Sequence, residues 1–174
     1  MGENGSERKL EAGRTVKASA RVAAYLEPEV SASLQELQTR PLEAKPYWDI
    51  ERARIGASRT VPVEVIVNGY PVAKTEIKAD GSFQDVSFDV KIDRSSWVAL
   101  RVYPSSHTNP IFVVVGGKPI RASKRSAEWC LKGVDQCWSQ KEPQMRAEER
   151  PAAKDAYEVA RQAYRKILAE TEVE

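Results

Sequence analysis

The sequence predicts a mainly β fold with C-terminal α structure: an immunoglobulin-like antiparallel β-sandwich followed by a two-helix C-terminal hairpin. Three observations carry this prediction. Seven short apolar runs alternate with polar residues between Arg14 and Val115, turn residues separate them, and after Gly116-Gly117-Lys118-Pro119 the hydrophobic period becomes helical. The length of 174 residues suits one domain with an appendage, and a hydrophobic content of 41% is enough to form a core. The expected organisation is a loose tail over 1–13, a sandwich over 14–121, and a helical hairpin over 122–174 packed on the sandwich.

Taken in order, residues 1–13 are rich in Gly, Asn, Ser and charge, and read as turn or tail. From Arg14 to Leu26, the residues Val16, Ala18, Ala20, Val22, Ala24 and Leu26 share one face, which is the pattern of a half-buried strand. Pro28, Pro41 and Pro46 bound a polar stretch over 27–46 that reads as a connecting loop, with SASLQELQ able to form only a short helical turn. A second strand is expected over Tyr47 to Ile55. Two alternating runs then flank Asn68-Gly69, the preferred pair for a type I′ turn, so strands are placed at 62–67 and 70–78. The stretch FQDVSFDVKI continues the β pattern if a bulge interrupts its register, and SWVALRV at 96–102 and IFVVV at 111–115 complete it.

Ser123 is a suitable N-cap, and Ala127, Cys130, Leu131, Val134, Cys137 and Trp138 recur at helical spacing, which predicts a helix over 124–140. A second helix is expected over 151–169, with Pro151 in its first turn and Tyr157, Tyr164, Ile167 and Leu168 on its apolar face. Cys130 and Cys137 lie seven steps apart on the first helix, about 10.5 Å, beyond the ~7 Å a disulfide tolerates. They read as small apolar side chains, not as a redox or metal pair.

Charge excludes several partners. With 27 Lys and Arg against 25 Asp and Glu the net charge is +2 and no block of like charge stands out, so neither nucleic acid nor an anionic membrane is an expected partner. The longest apolar runs, such as Ile111 to Val115, fall far short of the ~20 residues that cross a bilayer, so no membrane insertion is expected, and the first residues hold no apolar signal region. His107 is the single histidine, too few for a multi-histidine metal centre, and neither a Walker loop nor a G-x-G-x-x-G motif occurs. No catalytic, metal or cofactor residue is assigned, and no cofactor is expected.

The most unusual segment is the loop YPSSHTNPI at 103–111. Ser105, Ser106, His107, Thr108 and Asn109 form either a turn whose short side chains bond their own backbone, or a contact surface for another domain or a ligand. Trp48, Trp97, Trp129 and Trp138 would suit a sugar-binding platform, although burial in a core or junction is the commoner use of such positions.

The run SSWVALRVYPSSHTNPIFVVVGGKPIRASKRSAEWCLKGVDQCW, residues 95–138, resembles the C-terminal region of bacterial metallohydrolases of the CehA/McbA type, which have a polymerase-and-histidinol-phosphatase (PHP) fold. Weaker likeness runs through VPVEVIVNG, PYWDIERARIG, VKASARVAAYL and the final helix. The resemblance implies a non-catalytic accessory domain that follows a catalytic domain of the same parent protein, its partner, and packs against it or presents it. The family's histidine-rich metal motifs belong to that upstream domain, so no site residue carries over. It also implies that the region begins before Met1, making 1–13 the tail of a hairpin whose first strand is missing. The alternative is an independent carbohydrate- or ligand-binding β-sandwich module.

Overall fold

A computed structural model of the chain describes residues 6–104 and 106–172. The chain divides into two compact units, Met1–Lys118 and Pro119–Glu174. Among its described residues the first holds eight strands: β1 (Glu7–Leu10), β2 (Arg14–Val22), β3 (Thr60–Val67), β4 (Tyr70–Lys78), β5 (Gln84–Ile92), β6 (Ser96–Val102), β7 (Ser106–His107) and β8 (Ile111–Val115). One sheet has the order β1-β8-β6-β3-β4, with β7 also paired to β6, and the other is the pair β2-β5. The fold is thus β-rich, as expected, with helices at the C-terminus.

Asn68 and Gly69 have φ of 52° and 96°, both positive as a type I′ turn requires, and this turn sets β3 antiparallel to β4. Asn68 does a second job. Its amide donates to the Trp97 carbonyl at 3.0 Å while its side-chain Oδ1 accepts from the Trp97 amide at 3.1 Å, fastening the turn to the neighbouring strand β6. Alternation then sends Val61, Val63 and Val65 inward with no exposed surface. They join Leu100 and Val113 of the same sheet and Val86, Phe88, Val90 and Ile92 of β5 in one hydrophobic cluster, so both sheets contribute to a single core.

Several expectations are corrected. Residues 1–13 hold an ordered strand, β1, which runs parallel to β8 and buries Leu10, so the pairing is not wholly antiparallel. The connection over 27–46 contains an eight-residue helix, α1 (Ala32–Thr39), started by the Ser31 side chain. Tyr47 to Ile55 is not a strand. It carries a 3-10 turn over Ile50–Ala53, capped by Asp49, because Glu51 and Arg54 meet three residues apart and are both buried. β5 alternates without a bulge, Phe83 lies outside it, and the register irregularity falls between Val65 and Ile66 instead.

The second unit holds α2 (Lys124–Lys141) and α3 (Arg150–Glu170), linked by a 3-10 turn over Glu142–Gln144. Ser123 caps α2 by accepting from the Ser126 amide at 3.1 Å. The contacts Asp135 with Arg161, Cys137 with Tyr157 and Arg121 with Glu170 run in opposite chain directions, so the helices are antiparallel. Both cysteines are free thiols.

The Arg54 guanidinium binds both carboxylate oxygens of Glu51, with Nη2 to Oε2 at 3.0 Å, and also donates to the carbonyls of Glu27 and Ser58. Burial pushes the Glu51 carboxyl up, but hydrogen bonds from Arg54 and Gln38 and the Arg54 charge outweigh it and hold it below its ordinary value. A carboxyl lowered in the folded state adds stability above its unfolded pKa, and loses it as pH falls through the folded value. Arg54→Ala is therefore expected to cost about 3–5 kcal/mol at neutral pH, since it strands a buried carboxylate. The deficit against the parent chain should narrow as pH is lowered toward and below about 4.3, measured as denaturant midpoints across pH.

Candidate functional site

The polar loop begins where β6 ends. Ser106 and His107 fold back as β7, opposite Val102 and Arg101. The Thr108 amide donates to the Leu100 carbonyl at 3.0 Å, and the Leu100 amide donates to Thr108 Oγ1 at 3.1 Å. Thr108 thus continues the β6 ladder with its own hydroxyl, and only after Pro110, which has no amide hydrogen, does β8 resume pairing with β6 at Val98. Ser106, His107 and Asn109 are exposed and Thr108 is half-buried. Ser105 lies outside the described residues.

His107 Nδ1 sits 3.2 Å from the Thr108 carbonyl, which can only accept, so the pair is a hydrogen bond in the tautomer that carries the hydrogen on Nδ1. The register places His107 beside Arg101, Arg101 beside Glu64 of β3, and Glu64 beside Lys74 of β4. Directly opposed residues share a sheet face, so these four side chains form a transverse row across four strands, in which Arg101, Glu64 and Lys74 alternate in sign. Arg101 Nε donates to Glu64 Oε2 at 2.9 Å within that row. Glu64, Lys74 and Arg101 were not singled out from the sequence, because they lie far apart in it and only strand register brings them to His107.

Compared with protein-family models, curated proteins and solved structures, the chain matches none.

Two further features bear on binding. Tyr47 and Trp48 are each about half exposed, with ring centroids 4.8 Å apart and planes at 86°. In the second unit, Trp129, Val134, Tyr157 and Tyr164 line an apolar groove of about 420 Å³ between α2 and α3. There Cys137 Sγ lies 3.1 Å from the Tyr157 hydroxyl, and this hydrogen bond raises the phenol above its usual range. Trp138 packs edgewise on Tyr157 at 5.1 Å. Among the described residues, no group of three or more His, Cys, Asp and Glu is placed to hold a metal ion, and no helix is long and apolar enough to cross a membrane.

The loop's rigidity rests on one hydroxyl. Thr108→Val keeps the side-chain shape but leaves the amide of Leu100, whose residue is 2% exposed, without its acceptor. A loss of about 1–3 kcal/mol is expected by chemical denaturation, with faster hydrogen exchange at the Leu100 amide. Ser106→Ala, at an exposed position, should stay within about 0.5 kcal/mol of the parent chain.

Proposed function

We propose that this chain is a non-catalytic accessory module of a PHP-type metallohydrolase, and that the loop 103–109 with its charged row is the face it offers to the catalytic domain. The observation that carries the reading is the anchoring of an exposed polar loop to the β6 ladder, which aligns His107 with Arg101, Glu64 and Lys74. The alternating signs of Arg101, Glu64 and Lys74 beside the loop favour one docking register and oppose others, which is what a stable interdomain contact needs. The resemblance of residues 95–138 to the C-terminal region of such hydrolases supports the same reading.

The β unit is on this reading an immunoglobulin-like sandwich. Its support is connectivity: β8-β6-β3-β4 in one sheet and β2-β5 in the other correspond to the G-F-C-C′ and B-E strands of that architecture, with β1 added beside β8.

The test uses His107→Ala with Asn109→Ala, in the chain alone and in a protein joining it to its catalytic domain. On this reading that domain is recognisable by a His-x-His metal motif. The chain alone should keep its melting temperature, because exposed side chains contribute little to folding, while the joined protein loses activity or interdomain protection. Equal loss of stability in both would make the loop a structural turn and overturn the reading.

A carbohydrate- or ligand-binding module is the second reading, favoured by the half-exposed Tyr47 and Trp48 rings. It predicts retention on a polysaccharide matrix that Trp48→Ala abolishes; the accessory reading predicts no such retention.

A further inference from the structure

The sheet formed by β2 and β5 has only two strands, each of nine residues, paired without interruption from Arg14 opposite Ile92 to Val22 opposite Gln84. Among the described residues no strand pairs with the other edge of β2. That edge is about 30 Å long and directs roughly four amides and four carbonyls outward.

Several other edges of this unit are guarded, and the far edge of β5 is guarded only at its start. β1 is four residues long, and β4 carries Pro71, Lys74 and Lys78 and lies against the irregularity at Val65 and Ile66. The start of β5 is occupied by its own connection, since the Gln84 side chain receives the Lys78 amide at 2.9 Å and donates to the Lys78 carbonyl at 2.7 Å. Of these devices β2 shares only the basic residues. It holds no proline and no bulge, its only charge on the inner side is Arg14 at the strand's start, and its inward residues Ala18, Ala20 and Val22 are only partly buried although they pack on the core. Its one guard is positive charge: Arg14, Lys17 and Arg21, with no acidic residue.

That guard selects a partner. Within the chain, β2 meets a strand that sets Asp89 opposite Lys17, Asp85 opposite Arg21 and Ser87 opposite Ser19, with Val86, Phe88 and Val90 facing the core. A second strand on the far edge meets the same outward row and the same apolar inner rim. A second copy of β2 would gather six basic residues and no acid, which opposes self-pairing. We propose that the free edge of β2 accepts an extended protein segment with apolar residues on one side and acidic residues on the other, added as a third strand. This goes beyond the accessory reading and does not depend on it, because the loop 103–109 takes no part.

The probe is a synthetic peptide of residues 82–94 of this chain, whose sequence already complements β2, titrated into the full 174-residue protein labelled with ¹⁵N. Saturable shifts are expected at the Arg14–Val22 amides, which should also become protected from hydrogen exchange. A peptide carrying Asp85→Asn and Asp89→Asn should bind about fivefold more weakly at low salt. The protein variant Lys17→Gln with Arg21→Gln should lose a similar factor toward the acidic peptide and little more toward the amide peptide, which ties the effect to these pairs. Shifts centred on β4 or on the groove between α2 and α3, loss of protection at β5 through strand replacement, or no saturable shift at millimolar peptide would overturn the proposal. So would concentration-dependent association of the protein alone that protects β2, because the edge would then belong to a second copy.

Discussion

The buried pair of Glu51 and Arg54 organises the part of the first unit that no sheet holds. Between β2 and β3 the chain travels from residue 23 to residue 59, and its backbone groups need partners wherever water is excluded. Arginines supply them. Arg54 reaches the carbonyls of Glu27 and Ser58, Arg52 those of Leu37, Arg40 and Pro41, and Arg59 those of Leu26 and Ala79. A planar guanidinium with several donors can bind carbonyls from separate segments at once, which lysine cannot match. The carboxylate of Glu51 compensates the charge this places in the interior, and Gln38 of α1 donates to it at 2.8 Å, so the helix is tied to the same centre. With the connection held there, β3 enters the core from a fixed point.

That arrangement explains which elements were legible in the sequence. Asn68-Gly69 and Ser123 act through backbone conformation and capping within a few residues, so their signals are local and the flanking strands and helix were readable. The segment Tyr47 to Ile55 has apolar residues at strand-like intervals, but Glu51 and Arg54 can be buried together only if the chain turns through about three residues between them. A pattern of hydrophobicity does not register an ion pair. β1 was hidden for another reason. Glu7, Arg8 and Lys9 are exposed and only Leu10 is buried, so the strand is held by main-chain bonds to β8, and main-chain bonds leave no mark on side-chain composition.

The candidate site divides along the same line. The loop 103–111 stood out as a polar insertion between apolar strands, and its two readings are compatible in the structure because different residues serve them. Thr108 bonds the backbone of Leu100, as a turn residue would, while Ser106 and His107 remain exposed on the strand it stabilises. The neighbours that give His107 a charged setting come from β3, β4 and β6, and their alignment required the register that Asn68 imposes between the β3-β4 turn and β6.

The two sheets share one core unequally, and this sets the character of β2. β5 contributes Val86, Phe88, Val90 and Ile92 to the interior, whereas the facing positions of β2 are Ala20, Ala18, Val16 and Arg14, so at Val86 and Phe88 large residues on one strand sit beside alanines on the other. The small side chains make room for the large ones at packing density. They also leave the inner side of β2 thin, because an alanine beside a phenylalanine shields the core above it but extends little beyond the strand. Apolar surface at Ala18, Ala20 and Val22 therefore stays partly wet even though the centre of the core is dry. The five strands along the larger sheet each have a neighbour on both sides or carry a guard at the edge, while β2 combines a regular backbone, a thin apolar rim and a charge of one sign. The thin rim follows from the concentration of bulk on β5, and together the three properties make the unpaired edge of β2 receptive to an acidic, half-apolar strand.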